Sequence, residues 1–302
     1  MDYKKILKTP AARKMVLDFM RFIPDSVMLP VQYKIKLGRK LNLKNPKRFT
    51  EKLQWYKMNY RNPIMHQCVD KYLVRDFVKS KGLESILVPL VGHYNSVDEI
   101  SWNELPNEFV MKTTHGGGGL NVLVCDDKSK FDNQSIKHKF QFKNKPVASN
   151  TLGREWAYYG LIPGIVVEEL LVNEENPDAG VNDYKIFCYN GEPKYIVVDV
   201  DRYIGHKRNF YNTNWDNLNI GSDCPVADRD VCKPENLDEM LKIAARLSED
   251  FPFVRVDLYN CSGKIYFGEL TFYPWSGYVQ YDPDEVDFML GEGFELTKMG
   301  NN

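Results

Sequence analysis

Short apolar runs, separated by polar or glycine-rich turns, dominate the middle of the chain. Residues 87–91, 109–111, 122–124 and 165–171 are rich in Val, Leu, Ile and Phe, and each run predicts a strand. A polar stretch with four consecutive glycines separates the second run from the third. This part of the chain is therefore predicted to form a sheet in which one strand connection is unusually flexible.

Two hairpins are predicted further along. Residues 183–189 alternate polar and apolar positions, and Asn190-Gly191 joins them to a second run at 195–201; Asn-Gly between two strands is a strong hairpin signal. Residues 253–259 and 264–271 form the second hairpin around a turn at 260–263. The aromatic segment 210–215 shows no clear period and is expected to be irregular.

Helices are predicted at the start of the chain and between the sheets. One helix is predicted at residues 237–247 and another from Asp70 to Lys79, ended by Gly82. In both, the apolar residues recur at helical spacing on one side. A further helix is expected to be capped near Thr50. Residues 1–60 are predicted to be mainly helical from apolar positions at Met15, Val16, Phe19, Met20 and Phe22.

Composition narrows the class of protein. The chain has 302 residues, 43% of them hydrophobic, so it can bury a large core as one domain or as packed subdomains. With 40 basic and 41 acidic side chains, the overall charge does not indicate nucleic acid as a partner. Six cysteines without a CxxC pair indicate neither a disulfide framework nor a structural zinc site. No signal peptide or long apolar run is found, which predicts a soluble cytoplasmic protein.

The first forty residues are more basic than the rest of the chain. Ten Lys or Arg side chains fall there, against three Asp. A basic amphipathic segment of this kind could touch an anionic membrane or a polyanionic substrate, while an ordinary solvated helix face explains the same pattern. The sequence leaves both interpretations open.

The glycine-rich connection carries the first candidate chemistry. Lys112 ends a predicted strand, and Thr113, Thr114 and His115 lead into residues 116–119, which are all glycine. Glycines lack a Cβ, so successive N–H groups can turn toward one anion. No Gly-Lys-Ser/Thr follows, so this is not a Walker A loop. A flexible lid over nucleotide phosphates and a plain glycine-rich hairpin are the two interpretations.

Carboxylates on the strands form the second candidate site. Arg255 and Asp257 share one face of a strand, and Glu269 and Thr271 share one face of its partner. Asp257 is expected opposite residues 265–267, with Glu269 close by. Carboxylate oxygens suit Mg²⁺ bound with nucleotide phosphates, although a structural salt bridge among Arg255, Asp257 and Glu269 is the alternative.

In their order and spacing these pieces resemble the ATP-grasp superfamily, and within it the branch associated with teichuronopeptide and capsular polysaccharide synthesis. The resemblance covers roughly residues 40–285. Its motifs are Asp70-Lys71, Lys112 with Gly116–Gly119, Val167-Glu168-Glu169, Asp183-Tyr-Lys185 with Asn190-Gly191, Arg255-Val-Asp257 and Gly268-Glu269-Leu-Thr271.

The resemblance implies an α+β fold in which two subdomains grip ATP. It gives a helical segment at 1–65, a small subdomain at 66–165 with the lid, and a large subdomain at 166–302 with the metal site. ATP would be bound by Lys71, Lys112, His115, Gly116, Gly117, Gly118, Gly119, Glu168 and Glu169. Mg²⁺ would be bound by Asp257, Glu269 and Thr271. Thr271 stands where many members have Asn, which leaves the number of Mg²⁺ ions open.

The reaction implied by the resemblance is ADP-forming ligation of a carboxylate to an amine through an acylphosphate. Arg255 and Lys185 would be catalytic, with Arg255 facing the developing oxyanion. The expected substrates are a sugar acid of cell-surface polysaccharide, such as a capsule, and a small amine or amino acid. The negative charge of the sugar acid would require cations around its site. The candidates are Arg154, Lys185, Arg202 and Arg255.

Three other functions stay open at this point. A glycosyltransferase would use Mg²⁺ on an Asp-x-Asp motif, which Asp199-Val-Asp201 matches. An ATP-grasp kinase would give a stable phosphorylated product. A non-catalytic member of a synthesis complex would bind the nucleotide without turning it over.

Overall fold

The computed structural model describes residues 9–116, 121–142, 145–148, 153–173, 178, 180–202, 204–228 and 230–296. Its α-helices are α1 Pro10–Phe19, α2 Asp25–Leu37, α3 Phe49–Asn59, α4 Ile64–Cys68, α5 Val74–Ser80, α6 Asn133–Phe140, α7 Leu237–Ser248 and α8 Val286–Glu292. Its strands are β1 Leu90–Tyr94, β2 Phe109–Thr113, β3 Val122–Cys125, β4 Ile165–Glu168, β5 Asp183–Tyr189, β6 Glu192–Val200, β7 Lys207–Asn212, β8 Phe253–Cys261 and β9 Lys264–Thr271. The predicted α+β class is confirmed.

The smaller sheet has the strand order β1-β4-β2-β3 and is antiparallel throughout. Its core side is apolar because alternate residues of β2 and β4 point the same way: Met111 lies opposite Val167 and both are buried. Ile136 and Phe140 of α6 cover this side. The other face carries Lys112, whose register partner is Val166.

The larger sheet has the order β7-β6-β5-β8-β9, also antiparallel. The β5–β6 turn is the predicted Asn190-Gly191, and both residues have the positive φ that such a turn requires (51° and 82°). One face packs against α7 through Met240, Ala244 and Leu247. The opposite face holds half of the buried charged side chains of the described residues, six of twelve.

The N-terminal helices are fixed to the sheets at two places. Phe49 of α3 packs against Phe187 and Phe253 of the larger sheet. Arg154, which is almost inaccessible, donates hydrogen bonds to the Met20 and Ile23 carbonyls and forms an ion pair of 2.7 Å with Asp25. Residues 10–59 are thus mainly helical, as predicted.

The predictions for residues 210–215 and for the start of the Asp70 helix are wrong. The segment 210–215 is not irregular, because its first residues belong to β7, where Phe210 pairs with Val197. The helix predicted from Asp70 begins at Val74, since the Asp70 carboxylate accepts the N–H groups of Tyr72 and Leu73 in a turn before it.

Within the described part of the chain, no helix combines the length and apolarity needed to cross a membrane.

Thr50 does not cap α3. The helix begins at Phe49, and the Glu51 carboxylate accepts the backbone N–H groups of Lys47 and Arg48 ahead of it. The Thr50 hydroxyl instead donates to Asp287 on α8. Its polar side chain therefore joins two helices.

Candidate active site

A cleft lies where the two sheets meet. Lys71, Arg75, Lys112 and Glu168 line it from the side of the smaller sheet, and Gly268 lines it from β9. Three cations on one wall surround a single carboxylate. The wall therefore has a surplus of positive charge, which is what an anionic ligand requires.

Glu168 is held between two of these cations. Its Oε2 accepts a hydrogen bond of 2.9 Å from Lys112, and its Oε1 accepts one of 3.1 Å from Arg75. Val110 of β2 is the register partner of Glu168, and Lys112 lies two residues further along that strand, on the same face. The Glu168 carboxylate thus orients Lys112 toward the cleft.

Lys71 is bound differently. Its ammonium donates a hydrogen bond of 2.6 Å to the carbonyl of Gly116, which has φ of 84°. Desolvation lowers the pKa of Lys71, and the charge of nearby Lys112 adds to this effect, while Glu269 opposes it. Lys71 therefore lies at the first residue of the glycine run and within electrostatic reach of the larger sheet.

Asp257 and Glu269 face each other across β8 and β9. The predicted register is wrong here: Asp257 pairs with Glu269 itself. The turn is shorter than predicted, since Cys261 already pairs with Lys264, and a bulge between Asp257 and Leu258 shifts the register by one further residue. Gly268 makes the bulge feasible, since a Cβ on it would come within 3.0 Å of the Asp257 carbonyl. The two carboxylates are thereby brought side by side.

Arg255 joins this carboxylate pair. Its Nε and Nη2 donate hydrogen bonds of 2.6 Å each to the two oxygens of Asp257. Nη2 also donates to Glu269 at 3.3 Å and to the Thr271 hydroxyl at 3.1 Å. Burial raises the pKa of Asp257 to about 6, with Asp183 and Glu269 adding to the effect of burial and Arg255 opposing it. The salt bridge that the sequence offered as an alternative is present.

The profile of the TupA-like ATPgrasp family matches residues 51–295, which include both walls of this cleft. The chain belongs to this family. The ATP-grasp superfamily and fold indicated by the sequence are confirmed, whereas the teichuronopeptide and capsule branch stays a prediction.

The chain is also similar, at low sequence identity, to several solved structures. D-alanine–D-alanine ligase from Bacillus anthracis is 16% identical, with 68% of this chain and 57% of that chain covered and a TM-score of 0.41. The enzyme of that name from Helicobacter pylori is 15% identical, with 83% and 67% covered and a TM-score of 0.43. L-amino acid ligase from Bacillus licheniformis is 14% identical, with 71% and 43% covered and a TM-score of 0.41. The chain thus spans little more than half of the first of these proteins. No curated protein is significantly similar to it.

In this TupA-like ATPgrasp protein, Lys185 is the centre of a buried ion cluster. Its ammonium contacts the carboxylates of Asp183, Asp199 (3.4 Å) and Asp257 (3.5 Å). Lys185 is only 5% exposed. Its position is therefore that of a counter-ion for three acids.

Asp199 does not provide the metal site expected from the Asp-x-Asp motif. Its carboxylate is buried and accepts a hydrogen bond of 2.7 Å from Arg208. Although burial acts in the opposite direction, Lys185 and Arg208 lower the pKa of Asp199 well below its ordinary range. In this structure the Asp199 carboxylate is therefore paired with Lys185 and Arg208.

Two further residues of the predicted site are bound to other groups of the protein. The side chain of Arg154 is not available to an acceptor substrate, because it donates its hydrogen bonds to residues of the N-terminal helical segment. Glu168 is not a free hydrogen-bond acceptor, since both its oxygens are bound to cations. Glu169, by contrast, is exposed. Gly117, Gly118 and Gly119 lie outside the described residues.

The remaining predicted residues are His115, Arg202 and Thr271. Burial lowers the pKa of His115, whose Nδ1 has no hydrogen-bond partner among the described residues. The side chain of Arg202 is 37% exposed and forms an ion pair of 2.8 Å with Asp183. Thr271 donates a hydrogen bond of 3.0 Å to Glu269.

Three residues of the site were not identified from the sequence: Arg75, Arg208 and Trp275. Arg75, an ion-pair partner of Glu168, lies four residues after Lys71 in the helix that the sequence predicts there, a spacing that would place both cations on one helix face. Arg208 lies on the strand that was not predicted. Trp275 covers Arg208 and Arg255, with its ring centroid 4.5 and 5.3 Å from their guanidinium carbons.

The residues present fit a magnesium ion whose coordination is completed by a bound phosphate. Asp257 and Glu269 supply carboxylate oxygens, and the buried Asp183 Oδ1 has no hydrogen-bond partner among the described residues. Those residues contain no group of three or more His, Cys, Asp or Glu arranged to hold a metal alone. Magnesium typically uses one or two carboxylates, with phosphates and water as further ligands.

Proposed function

We propose that this protein is an ADP-forming carboxylate–amine ligase that binds ATP and Mg²⁺ in the cleft. The observation that supports this best is the division of charge between the two walls. Lys71, Arg75 and Lys112 outnumber Glu168 on one side, and Gly268 on the other side directly precedes Glu269, the partner of Asp257. An anion with many oxygens that is accompanied by a cation matches both walls at once.

The chain's own residues would act mainly by positioning. Lys112, oriented by Glu168, and Lys71, bound to the Gly116 carbonyl, would hold phosphate oxygens. The glycines that follow would exclude water, which matters because an acylphosphate hydrolyses readily. Phosphoryl transfer needs alignment and charge compensation more than a protein nucleophile.

Bound Mg²⁺ would neutralise charge on the transferring phosphoryl group. Arg255 would keep Asp257 and Glu269 ionised and would hold their carboxylates side by side. Burial disfavours the charged form of both carboxyl groups, and the nearby cations favour it. Against the effect of burial, the charges of Lys71, Arg255 and Lys185 lower the pKa of Glu269. Arg255 and Lys185 are therefore proposed as positioning residues, and the oxyanion role first assigned to Arg255 would require it to release one of its present partners.

The sugar-acid substrate is the finer part of the proposal. Arg202 at the rim offers a partly exposed guanidinium, and Trp275 offers a half-exposed ring beside the carboxylates. A sugar acid has a charged group for the first and a ring face for the second. The proposal also includes a role in polysaccharide synthesis and a place of action at a membrane surface. Its subdomain limits are at residues 65 and 165.

The direct test replaces the unknown amine with hydroxylamine. Purified protein, ATP, Mg²⁺ and a panel of uronic acids and amino acids are incubated, and both ADP and hydroxamate are measured. The proposal expects hydroxamate and ADP in equal amounts with at least one acid. ADP formation with a stable phosphorylated product would identify a kinase, and ATP binding without any turnover would identify a non-catalytic protein.

A further inference from the structure

The exposed large apolar side chains of the described residues are concentrated at the N-terminal end. Met15, Phe19 and Phe22 are 72%, 78% and 76% exposed. Three more are spaced four residues apart on α2 and therefore share one side of that helix. We call these six residues the N-terminal patch: Met15, Phe19, Phe22, Val27, Val31 and Ile35.

The patch belongs to helices that are held firmly on the body of the protein. The opposite side of α2 is buried through Leu29, Tyr33 and Leu37, and the Tyr33 hydroxyl is 2.7 Å from that of Thr50. Arg154 fixes the turn between α1 and α2, as described above. The apolar stripe of α2 is therefore presented outward by a fixed helix. Exposed apolar area of this kind marks an interaction site when it is contiguous or repeated along one element.

The surroundings of the patch are basic. Residues 9–48 contain ten Lys and Arg against Asp18 and Asp25, whereas the whole chain is balanced at 40 and 41. Five of these lysines are exposed: Lys34, Lys36, Lys40, Lys44 and Lys47. The surplus of positive charge thus accompanies the apolar side chains.

We propose that α1 and α2 bind an anionic phospholipid surface. The apolar side chains would enter the boundary between headgroups and acyl chains, and the lysines would contact lipid phosphates. Amphipathic helices with lysines beside bulky apolar residues lie in the membrane interface in this way. The cores of protein–protein interfaces are instead depleted of lysine, so the charge favours lipid over a protein partner.

The binding is peripheral, and it concerns where the protein works, not which reaction it performs. Each lysine near an anionic bilayer adds a favourable contribution that salt screens. The apolar contribution persists in salt. The two contributions can therefore be separated experimentally without any substrate of the enzyme.

The test is sedimentation with vesicles of phosphatidylcholine alone or mixed with phosphatidylglycerol. The wild-type protein should bind the anionic vesicles at least about tenfold more tightly than the neutral ones, and raised salt should weaken this binding. The double variant Val31→Ser/Ile35→Ser should reduce it by about tenfold or more. Lys40→Glu/Lys44→Glu should remove the preference for anionic lipid.

The matched control is Ile162→Ser/Val226→Ser, which removes two exposed apolar side chains outside the patch. It should bind vesicles like the wild type. Circular dichroism checks that all variants fold, and light scattering checks their oligomeric state. Equal binding to both kinds of vesicle, or equal binding by the patch and control variants, would overturn the proposal. So would a wild-type dimer that the patch variant converts to monomer, which would assign the surface to a second copy of the chain.

Discussion

The two sheets treat charge in opposite ways. On the smaller sheet, one carboxylate, Glu168, is shared by Lys112 and Arg75, and the hydrogen-bond partner of Lys71 among the described residues is a backbone carbonyl. On the larger sheet, the buried acids Asp183, Asp199 and Asp257 are matched by three buried cations: Lys185, Arg208 and Arg255. The first wall has more cations than carboxylates, whereas the buried charges of the second balance one another and the partly exposed Glu269 adds one further negative charge.

This difference indicates which partner each wall suits. Spare cations bind anions at little cost in structure. Charges that neutralise one another in a buried cluster hold the fold, and removing one leaves its partners without compensation. Removal of a buried cation from the larger sheet should therefore affect folding, and substitutions at the edge of the cleft should affect ligand binding.

The largest effect is expected from Lys185→Met. Three carboxylates would lose their shared cation, so the free energy of unfolding should fall by about 3–5 kcal/mol. Urea denaturation followed by circular dichroism measures this. Lys194→Met is the matched control, because Lys194 lies on the same sheet, is largely exposed and pairs only with Glu192; it should change stability little. A stable Lys185→Met protein would show that the cluster is not what holds the sheet.

Asp257→Asn and Glu269→Gln come next. Each keeps the shape of the side chain but removes a charge that Mg²⁺ would use, so turnover of ATP should fall by about 100-fold or more, equivalent to roughly 2.7 kcal/mol. The control is Glu192→Gln, an exposed carboxylate of the same sheet. If either variant keeps full Mg²⁺-dependent ADP release, that residue is not a metal ligand.

The sequence predicted the strands that carry these acids, and the resemblance supplied their roles. The pairing of Asp257 with Glu269 was missed because the turn is shorter than predicted and a bulge at Gly268 shifts the register by one more residue. A bulge depends on backbone contacts that no alternation pattern encodes. The binding of Arg154 to the N-terminal helices joins residues more than 120 positions apart. Local spacing carries no information about such contacts.

Lys71→Met and Lys112→Met separate binding from stability within the smaller sheet. Both should weaken ATP binding by about 1–3 kcal/mol, the range for a charge-assisted hydrogen bond. Only Lys112→Met should also lower stability, since it leaves the buried Glu168 with Arg75 alone. Calorimetry and urea denaturation measure the two effects, with the exposed Lys79→Met as control. Unchanged ATP affinity in folded Lys112→Met protein would remove Lys112 from the site.

The smallest effect is expected from Gly268→Ala. The added Cβ would lie 3.0 Å from the Asp257 carbonyl, so β8 and β9 must move apart slightly, at about 1 kcal/mol of stability. Because the shift moves Asp257 relative to Glu269, Mg²⁺-dependent ATP binding should weaken more than binding without Mg²⁺. Equal weakening of both would mean that the bulge does not set the spacing of the carboxylates.

The smaller sheet was easier to predict than its site. The positions of β2 and β3 follow from two apolar runs, and Lys112 stands out because glycines follow it. That Glu168 would be neutralised was not foreseen, because Arg75 comes from a helix far away in the sequence. A residue's chemical type can be read from the chain, whereas its availability depends on neighbours brought in by the fold.

The most direct test of the central claim is titration calorimetry of ATP with and without Mg²⁺ in three proteins. In the wild type, Mg²⁺ should strengthen ATP binding. In Glu269→Gln this gain should disappear while metal-free binding remains, and in Lys71→Met binding should weaken by a similar factor in both conditions. If Lys71→Met loses the Mg²⁺ effect and Glu269→Gln keeps it, the assignment of anion and metal to the two walls is wrong.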